Sequence, residues 1–397
     1  MRNNFKFGVM GEVKDRSFNA RVLGYSGDAD EISGLLVGEI FDAANINPNT
    51  IKLKETTDKS DSYTAGATLG AAYMMADQQL SSKVRLVGGV RFERYNQHLN
   101  SFYVKSSNPV VVDTTFLDVL PSLNLTYALN EKSNLRFSAS QTVARPNFRE
   151  IAPFAFYDFL LDAAIIGNPK LTRTQIVNLD VKYELFPGLN QTISASAFYK
   201  RFKNPIEQIY NNSQGAGTRT FLFENAPSAQ NFGVEMEFRF KGNSFVKNWK
   251  TAENFTLFSN FAYIYSEVDQ SNLPGAIVRG LQGQSPYIIN TGLTFAEPTG
   301  KFSSTLMVNR IGRRIWAVGQ DQYKLTYEAP RTVLDLQLTQ KVWKKGEIKL
   351  NFGDILNQAQ VFYQDQDENG KYNAEQDTKF LGSRFGRNIS FSFAYTF

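Results

Sequence analysis

Apolar and polar residues alternate with a period of two along most of this chain. In the last ten residues, NISFSFAYTF, every second position is apolar and mostly aromatic: Ile389, Phe391, Phe393, Tyr395 and Phe397. The same alternation recurs in VNLDVKYEL (177–185), GVEMEFRF (233–240), TVLDLQLTQ (332–340) and GEIKLNFGD (346–354). A period of two is typical of a β-strand with one apolar and one polar face. By this criterion the sequence predicts about fourteen strands.

The segments between these strands alternate between short and long. The short ones are 77–82, 130–133, 187–190, 297–301 and 344–346. The long ones are 26–60, 101–112, 146–170, 204–228, 268–283, 316–330 and 359–384. One connection, 241–254, falls where a short turn is expected but is long. Tight turns on one side and long loops on the other are typical of an outer-membrane β-barrel. A soluble antiparallel sheet with one solvated face is the alternative.

Composition narrows the choice of protein class. The chain has 397 residues, of which 14% are aromatic, and its pattern has no break, so we treat 1–397 as one domain. The longest fairly apolar run, 154–166, is interrupted by two aspartates and is too short for a membrane-spanning helix. The net charge of +5 comes from interspersed acidic and basic residues, which does not indicate nucleic-acid binding. The absence of cysteine decides little.

Three stretches, 71–95, 120–154 and 231–240, together with the aromatic terminal strand, resemble the C-terminal barrel part of TonB-dependent outer-membrane receptors, particularly Bacteroidetes-like ones. The most specific element is ARPNFREIAPF (144–154). The resemblance implies an all-β, transmembrane antiparallel β-barrel of 22 strands with a plugged lumen. This chain would supply about the last 14 strands, the barrel wall and extracellular loops. We expect the signal peptide, the plug domain, the remaining strands and the TonB-binding segment before residue 1, because Met1 is not followed by an export signal.

The implied function is TonB-dependent active uptake of a scarce or bulky nutrient such as a siderophore, oligosaccharide or peptide. The expected partners are outer-membrane lipid, the plug, TonB and a surface lipoprotein. A passive, porin-like barrel of about 14 strands is the alternative, since an even number of strands can close. An enzyme is not expected, because the single histidine, His98, has no nucleophile motif near it.

Charged residues on the polar faces of the strands are candidates for lining the lumen and contacting the plug. They would either form a salt-bridge network that holds the plug or only hydrate the lumen. The candidates are Arg91, Glu93, Arg136, Asp180, Lys182, Glu235, Glu237, Arg239 and Asp335, and Glu184 and Lys349 share their pattern.

The loop 146–170 and the arginine before it are the candidate substrate-binding segment. The candidates are Arg145, Phe148, Phe154, Phe156 and Tyr157, with Phe159 in the same aromatic cluster. Aromatic rings there could stack on a ligand, or they could pack the loop onto itself, and we favour self-packing.

The segment QDQDENGKYNAEQD (364–377) resembles a calcium-binding loop. Asp365, Asp367, Asn369 and Gly370 follow the D-x-D-x-N-G order in which oxygen ligands alternate and glycine permits the turn. The twelfth position is Gln376, where such a loop has a bidentate glutamate. The segment is therefore a candidate calcium site in residues 365–377, with a solvated acidic loop as the alternative.

Overall fold

The computed structural model describes residues 3–27, 36–48, 50–103, 106–211, 219–244, 246, 249–269, 278–319 and 324–397. Fourteen strands form one antiparallel sheet, which confirms the predicted fold class and strand number. In sheet order these strands are β1 (Asn3–Asn19), β4 (Ser62–Gln79), β5 (Val84–Phe102), β6 (Pro109–Asn130), β7 (Ser133–Ala144), β10 (Thr174–Leu185), β11 (Thr192–Lys203), β14 (Ser228–Lys241), β15 (Phe255–Asp269), β16 (Tyr287–Ala296), β17 (Phe302–Ile311), β20 (Arg331–Val342), β21 (Gly346–Gly353) and β24 (Asn388–Tyr395).

The strand register separates a polar face from an apolar face across the whole sheet. Lys182 lies opposite Arg136 on β7 and Ser196 on β11, whereas Leu179 lies opposite Ala139 and Tyr199. Directly paired residues point to the same side of a sheet, so the predicted facing holds from strand to strand. Large side chains on the apolar face are exposed, including Phe5, Phe7, Val9, Met74, Leu179, Met236, Phe391 and Phe393. A continuous exposed apolar face of this kind contacts lipid.

The apolar face provides a direct test of this orientation. Leu179 lies near the middle of β10 and is 46% exposed. We expect Leu179→Arg to destabilise the folded barrel by about 2 to 4 kcal/mol, because it places a charge against the hydrocarbon near the midplane. Asp180→Ala, one residue along on the polar face, should cost far less. The free energy of unfolding of the complete protein in lipid vesicles measures both changes. A larger cost for Asp180→Ala would mean that the two faces are reversed.

The short turns and both ends of the sheet lie on the same side. Asn3 pairs with Gln78 beside the β4–β5 turn, and Tyr395 pairs with Gly346 beside the β20–β21 turn. One predicted long loop, 101–112, is wrong. β5 and β6 run on and pair as far as Phe102 and Pro109, so their connection is only 103–108. The connection 241–254 contains two short 3₁₀ segments, Gly242–Ser244 and Lys250–Asn254.

Four of the long connections fold into a second sheet that the sequence analysis did not predict. Its eight strands, in sheet order, are β23 (Thr378–Ser383), β22 (Gln360–Gln364), β19 (Thr326–Glu328), β18 (Arg314–Gly319), β12 (Ile206–Asn211), β13 (Arg219–Asn225), β9 (Ala163–Ile166) and β8 (Ala155–Asp158). The β12–β18 and β13–β9 pairs are parallel. We call this the outer sheet, because it joins connections from the long-loop side of the barrel wall.

The remaining elements are small. β2 (Leu23–Gly27) and β3 (Ile51–Glu55) form a separate hairpin between β1 and β4. The helices are α1 (Val37–Ile40) and α2 (Phe148–Ile151), and a 3₁₀ segment spans Lys59–Asp61. No helix within the described ranges is long and apolar enough to cross a membrane.

A hydrophobic cluster attaches the connection 145–173 to the polar face of the barrel wall. Tyr63, Ala65, Leu99 and Val112 come from β4, β5 and β6, and they pack with Ile151, Ala152, Phe154 and Leu171 from the connection. These strand residues lie at the long-loop ends of their strands, on the same face as Glu93. The connection therefore folds inward over the lumen side of the wall.

Candidate functional site

All nine lumen candidates lie on the polar face. The register connects Glu93 with Asp118, Asp180 with Ser138 and Glu235 with Ser196. That they contact a plug stays a prediction, whereas the strand register shows that they share one face of the sheet. How far they form ion pairs differs from one part of the sheet to the next.

The most buried charges form a network at the long-loop side of the polar face. Asp118 accepts hydrogen bonds from Arg145 Nη2 at 2.8 Å and from Arg173 Nε at 2.6 Å. Glu93 accepts from the same Arg145 Nη2 at 2.6 Å and from Arg91 Nε at 2.6 Å. The Asp118 side chain is only 1% exposed and that of Glu93 8%. Three arginines thus neutralise two buried carboxylates, which leaves one net positive charge. We call these five residues the Asp118 network.

The positions of the two arginines in the chain explain what this network holds. Arg145 directly follows β7 and Arg173 directly precedes β10, so Asp118 binds both ends of the connection 145–173. Their guanidinium groups also lie over aromatic rings on the wall, Arg145 over Tyr95 and Arg173 over Phe116, each at 4.5 Å from the ring centroid. Cation–π contact adds to the ion pairs and fixes the orientation of both side chains.

Sequence reasoning missed Asp118 and Arg173. Asp118 could have been found from the pattern, because it lies two residues from Phe116 on β6 and therefore on the same, inward face. Nothing in the local pattern around Arg173 indicated its partner, which is 55 residues away.

The other lumen candidates make weaker or fewer ionic contacts. Arg136 pairs with Glu184 at 2.7 Å, and Lys182 lies 3.6 Å from the same carboxylate. Asp180 accepts a hydrogen bond from Ser138 at 3.3 Å. For Glu235, Glu237, Arg239 and Asp335, no ion pair occurs among the residues that the structure describes.

A polar groove lies on this less paired part of the face. It has a volume of about 270 Å³ and is lined by Lys182, Ser194, Ser196, Glu235, Glu237 and Asn260, among others. Glu235 and Glu237 therefore face a space that a plug segment or solvent can enter.

The substrate-loop candidates divide into buried and exposed residues. Arg145 belongs to the Asp118 network. Phe148 and Phe154 pack in the hydrophobic cluster, where the ring of Phe154 lies 5.1 Å from that of Phe18 in a tilted arrangement. By contrast, Phe156 and Tyr157 are 38% and 41% exposed. The preference for self-packing thus fits Phe148 and Phe154 but not the tip of the loop.

The tip of this loop carries the accessible aromatic rings. Phe159 is 88% exposed and contacts Tyr157 edge to face at 5.1 Å. Arg149 lies 4.3 Å from the centroid of Phe156, and burial lowers the pKa of its guanidinium. The tip thus carries two separate pairs, Arg149 with Phe156 and Tyr157 with Phe159, and each pair can stack on a planar or sugar-like group.

The predicted calcium loop brings three carboxylates together. Carboxylate oxygens of Asp365, Asp367 and Asp377 all lie within 4.8 Å of one another. The predicted third ligand, Asn369, donates from its amide to Asp367 Oδ2 at 2.5 Å, and its own Oδ1 accepts the Lys371 N–H at 2.7 Å. Asp377, the last residue of the segment 364–377, is the member to which the motif assigned no ligand position.

Arg313 is the basic residue of this cluster. It forms an ion pair with Asp365 and lies 4.0 Å over the ring of Tyr327. Burial alone would raise the pKa of Asp365, but hydrogen bonds from Arg313 and from the Gly370 N–H outweigh it, so the pKa is below its usual value.

Comparison with solved structures identifies the fold. The copper transporter OprC is 15% identical, with a TM-score of 0.60 over 98% of this chain and 54% of its own. The ferric-catecholate import receptor Fiu from E. coli K12 is 12% identical, with a TM-score of 0.62 over 98% and 51%. The ferric yersiniabactin uptake receptor FyuA from Yersinia pestis is 16% identical, with a TM-score of 0.55 over 84% and 46%. This chain thus spans about half the length of these proteins.

Comparison with protein families identifies the membership. A search of curated proteins gives no significant match. Residues 38–395 match the outer membrane protein beta-barrel family, which is most of the chain. Together with the antiparallel sheet, its exposed apolar face and the barrel fold of the solved receptors, this match confirms the resemblance on which the sequence analysis relied. The chain belongs to the outer membrane protein beta-barrel family and lies in the outer membrane.

Proposed function

We propose that this chain forms the C-terminal wall and extracellular surface of a TonB-dependent importer that takes up a scarce or bulky nutrient, such as a siderophore, an oligosaccharide or a peptide. The observation that carries the proposal is the two-faced sheet of fourteen strands, which corresponds to about half of receptors and transporters of this fold. A barrel of 22 strands is wide enough to need a plug, and the polar face supplies charged groups for it. TonB acts through a segment outside this chain.

The polar face suits a plug that must be both held and released. The Asp118 network is internally paired and buried, so it stabilises the wall itself. Glu235 and Glu237 on β14 line the open groove and are available for contacts that can exchange, and Arg239 lies on the same strand over the ring of Phe258. Such exchangeable ionic contacts are weak in a wet lumen, which permits rearrangement of the plug.

Uptake in energised cells tests this proposal. Cells that produce the complete protein should accumulate one of three labelled probes: a ferric catecholate, a maltodextrin or a short peptide. Deleting the gene and deleting TonB should abolish accumulation of the same probe. In planar bilayers, the purified complete protein should show no sustained ion conductance, because the plug fills the lumen. Steady conductance, with uptake that does not need TonB, would instead support the passive porin-like barrel.

The exposed aromatic tip provides a prediction for substrate contact. We expect Phe159→Ala to lower accumulation of the transported probe severalfold, because it removes an exposed ring that can stack on the substrate. Leu160→Ala is the matched control, since Leu160 is 83% exposed in the same loop but cannot stack. Equal uptake by the two variants would show that the ring is not a substrate contact.

A further inference from the structure

We propose that Asp365, Asp367 and Asp377 form a divalent-cation site on the extracellular side, which takes calcium and orders the loop between β22 and β23. The inference does not depend on the transport function. It combines the sequence motif with two structural observations: the gathering of the three carboxylates and a buried oxygen with no partner.

The buried oxygen belongs to Asp365. This residue is 6% exposed, and its Oδ2 accepts hydrogen bonds from Arg313 and from the Gly370 N–H, the latter at 3.0 Å. Its Oδ1 is buried and has no hydrogen-bond partner among the described residues. A buried carboxylate oxygen without a partner costs free energy, so native proteins normally satisfy it with a donor, water or an ion. With two other carboxylates within 4.8 Å, a cation is the partner that also removes their mutual repulsion.

The charge of the cluster matches a divalent ion. Three carboxylates contribute three negative charges, and Arg313 neutralises one of them through Asp365. Two negative charges remain, the charge that one divalent cation balances. Arg313 is itself held over the Tyr327 ring, so it stays on the Oδ2 side and leaves Oδ1 to an ion.

The chemistry of the ligands favours calcium. Every charged ligand is an oxygen, which selects hard cations over zinc or copper. Gly370 has a φ of +79°, the left-handed conformation that such a loop needs at its sharp turn. Two of the ligands are buried and one, Asp367, is exposed, and three carboxylates do not complete an octahedron. Calcium tolerates irregular coordination whereas magnesium requires a near-ideal octahedron. An affinity of about 10⁻⁴ to 10⁻³ M, typical of extracellular modules, is expected.

The site would act on the edge of the outer sheet. Asp365 directly follows β22 and Asp377 directly precedes β23, the edge strand. An ion that joins these two residues closes the base of the loop that connects the two strands. Calcium should therefore protect the loop, including the exposed Lys371, from cleavage.

The test uses the purified complete protein in detergent and endoproteinase Lys-C, which cleaves after Lys371. With millimolar calcium, cleavage at Lys371 should slow at least tenfold relative to chelator, and magnesium at the same concentration should protect less. Asp367→Asn and Asp377→Asn should each abolish the protection, while heat-modifiable mobility on gels shows that the barrel is still folded. Glu375→Gln is the control, because it removes one negative charge from the same loop outside the cluster.

Two results would overturn the proposal. The first is equal cleavage at Lys371 with calcium and with chelator in a folded barrel. The second is loss of protection in Glu375→Gln to the same extent as in Asp367→Asn, which would indicate general charge screening. Equal protection by magnesium and calcium would overturn the assignment of the ion.

Discussion

Asp118→Ala is expected to destabilise the folded barrel by about 3 to 5 kcal/mol, because it removes one partner of a buried ion pair and leaves charge behind. Asp118 is 1% exposed at its side chain and accepts hydrogen bonds from both Arg145 and Arg173. After the substitution Arg145 keeps Glu93. Arg173 retains no ion pair with any residue that the structure describes. The penalty is large because the Arg173 side chain, only 20% exposed, then lacks the carboxylate that balances its charge.

Unfolding of the complete protein by urea in lipid vesicles measures this change. The matched control is Asp113→Ala, which removes the same side chain from the same strand at an exposed position and should stay within about 0.5 kcal/mol of the wild type. Asp118→Asn should lie between the two, because the amide oxygen still accepts a hydrogen bond without the charge. If Asp118→Ala unfolds at the same urea concentration as Asp113→Ala, the network contributes nothing to stability.

The same substitution has a functional consequence. Asp118 binds the two arginines at the ends of the connection 145–173, which carries Phe156, Tyr157 and Phe159 at its tip. Loss of this carboxylate frees the Arg173 end, while Arg145 stays paired with Glu93, so the tip can move relative to the wall. The substrate contact proposed for the tip and the stability of the wall are therefore expected to be coupled through one carboxylate.

The barrel wall could be predicted from the sequence because its physics is local. Each wall strand has one face toward lipid and one toward the lumen, so a period of two appears in every segment long enough to span the membrane. The register then follows from the hydrophobic pattern, since a slip of one residue would exchange the faces. This is why all the lumen candidates, from Arg91 on β5 to Asp335 on β20, fall on one face.

The outer sheet could not be predicted, because its pairings are not local. Ile209 on β12 pairs with Val318 on β18, more than a hundred residues away. Its strands are short, and some, such as TFLF at 220–223, are apolar without alternation. A short apolar run does not reveal its secondary structure through periodicity. The ion pair between Glu207 and Arg279 could not be predicted either, because the two residues are 72 positions apart in the sequence.

Breaking the buried Glu207–Arg279 ion pair is the second change for which we expect a large loss of stability. Glu207 on β12 accepts hydrogen bonds from Arg279 Nη1 and Nη2, both at 2.7 Å, and the two side chains are only 2% and 3% exposed. Glu207 thereby fixes the connection between β15 and β16 to the outer sheet. We expect Glu207→Ala to cost about 3 to 5 kcal/mol of local stability, because the arginine stays buried without its carboxylate.

Hydrogen exchange in the complete protein can locate this loss. Amides of β12 and of residues 278–286 should exchange faster in Glu207→Ala. Those of the wall strands β4 to β7 should change less, because their backbone hydrogen bonds run between wall strands, although Ile206 of β12 packs against the hydrophobic cluster. Glu224→Ala is the control, since Glu224 lies directly opposite Glu207 on β13 and is only partly buried. A double variant, Glu207→Met with Arg279→Met, should recover part of the protection, because no charge is then left buried. If Glu207→Ala and Glu224→Ala exchange alike, the ion pair does not hold the connection, and the outer sheet depends on its aromatic packing alone.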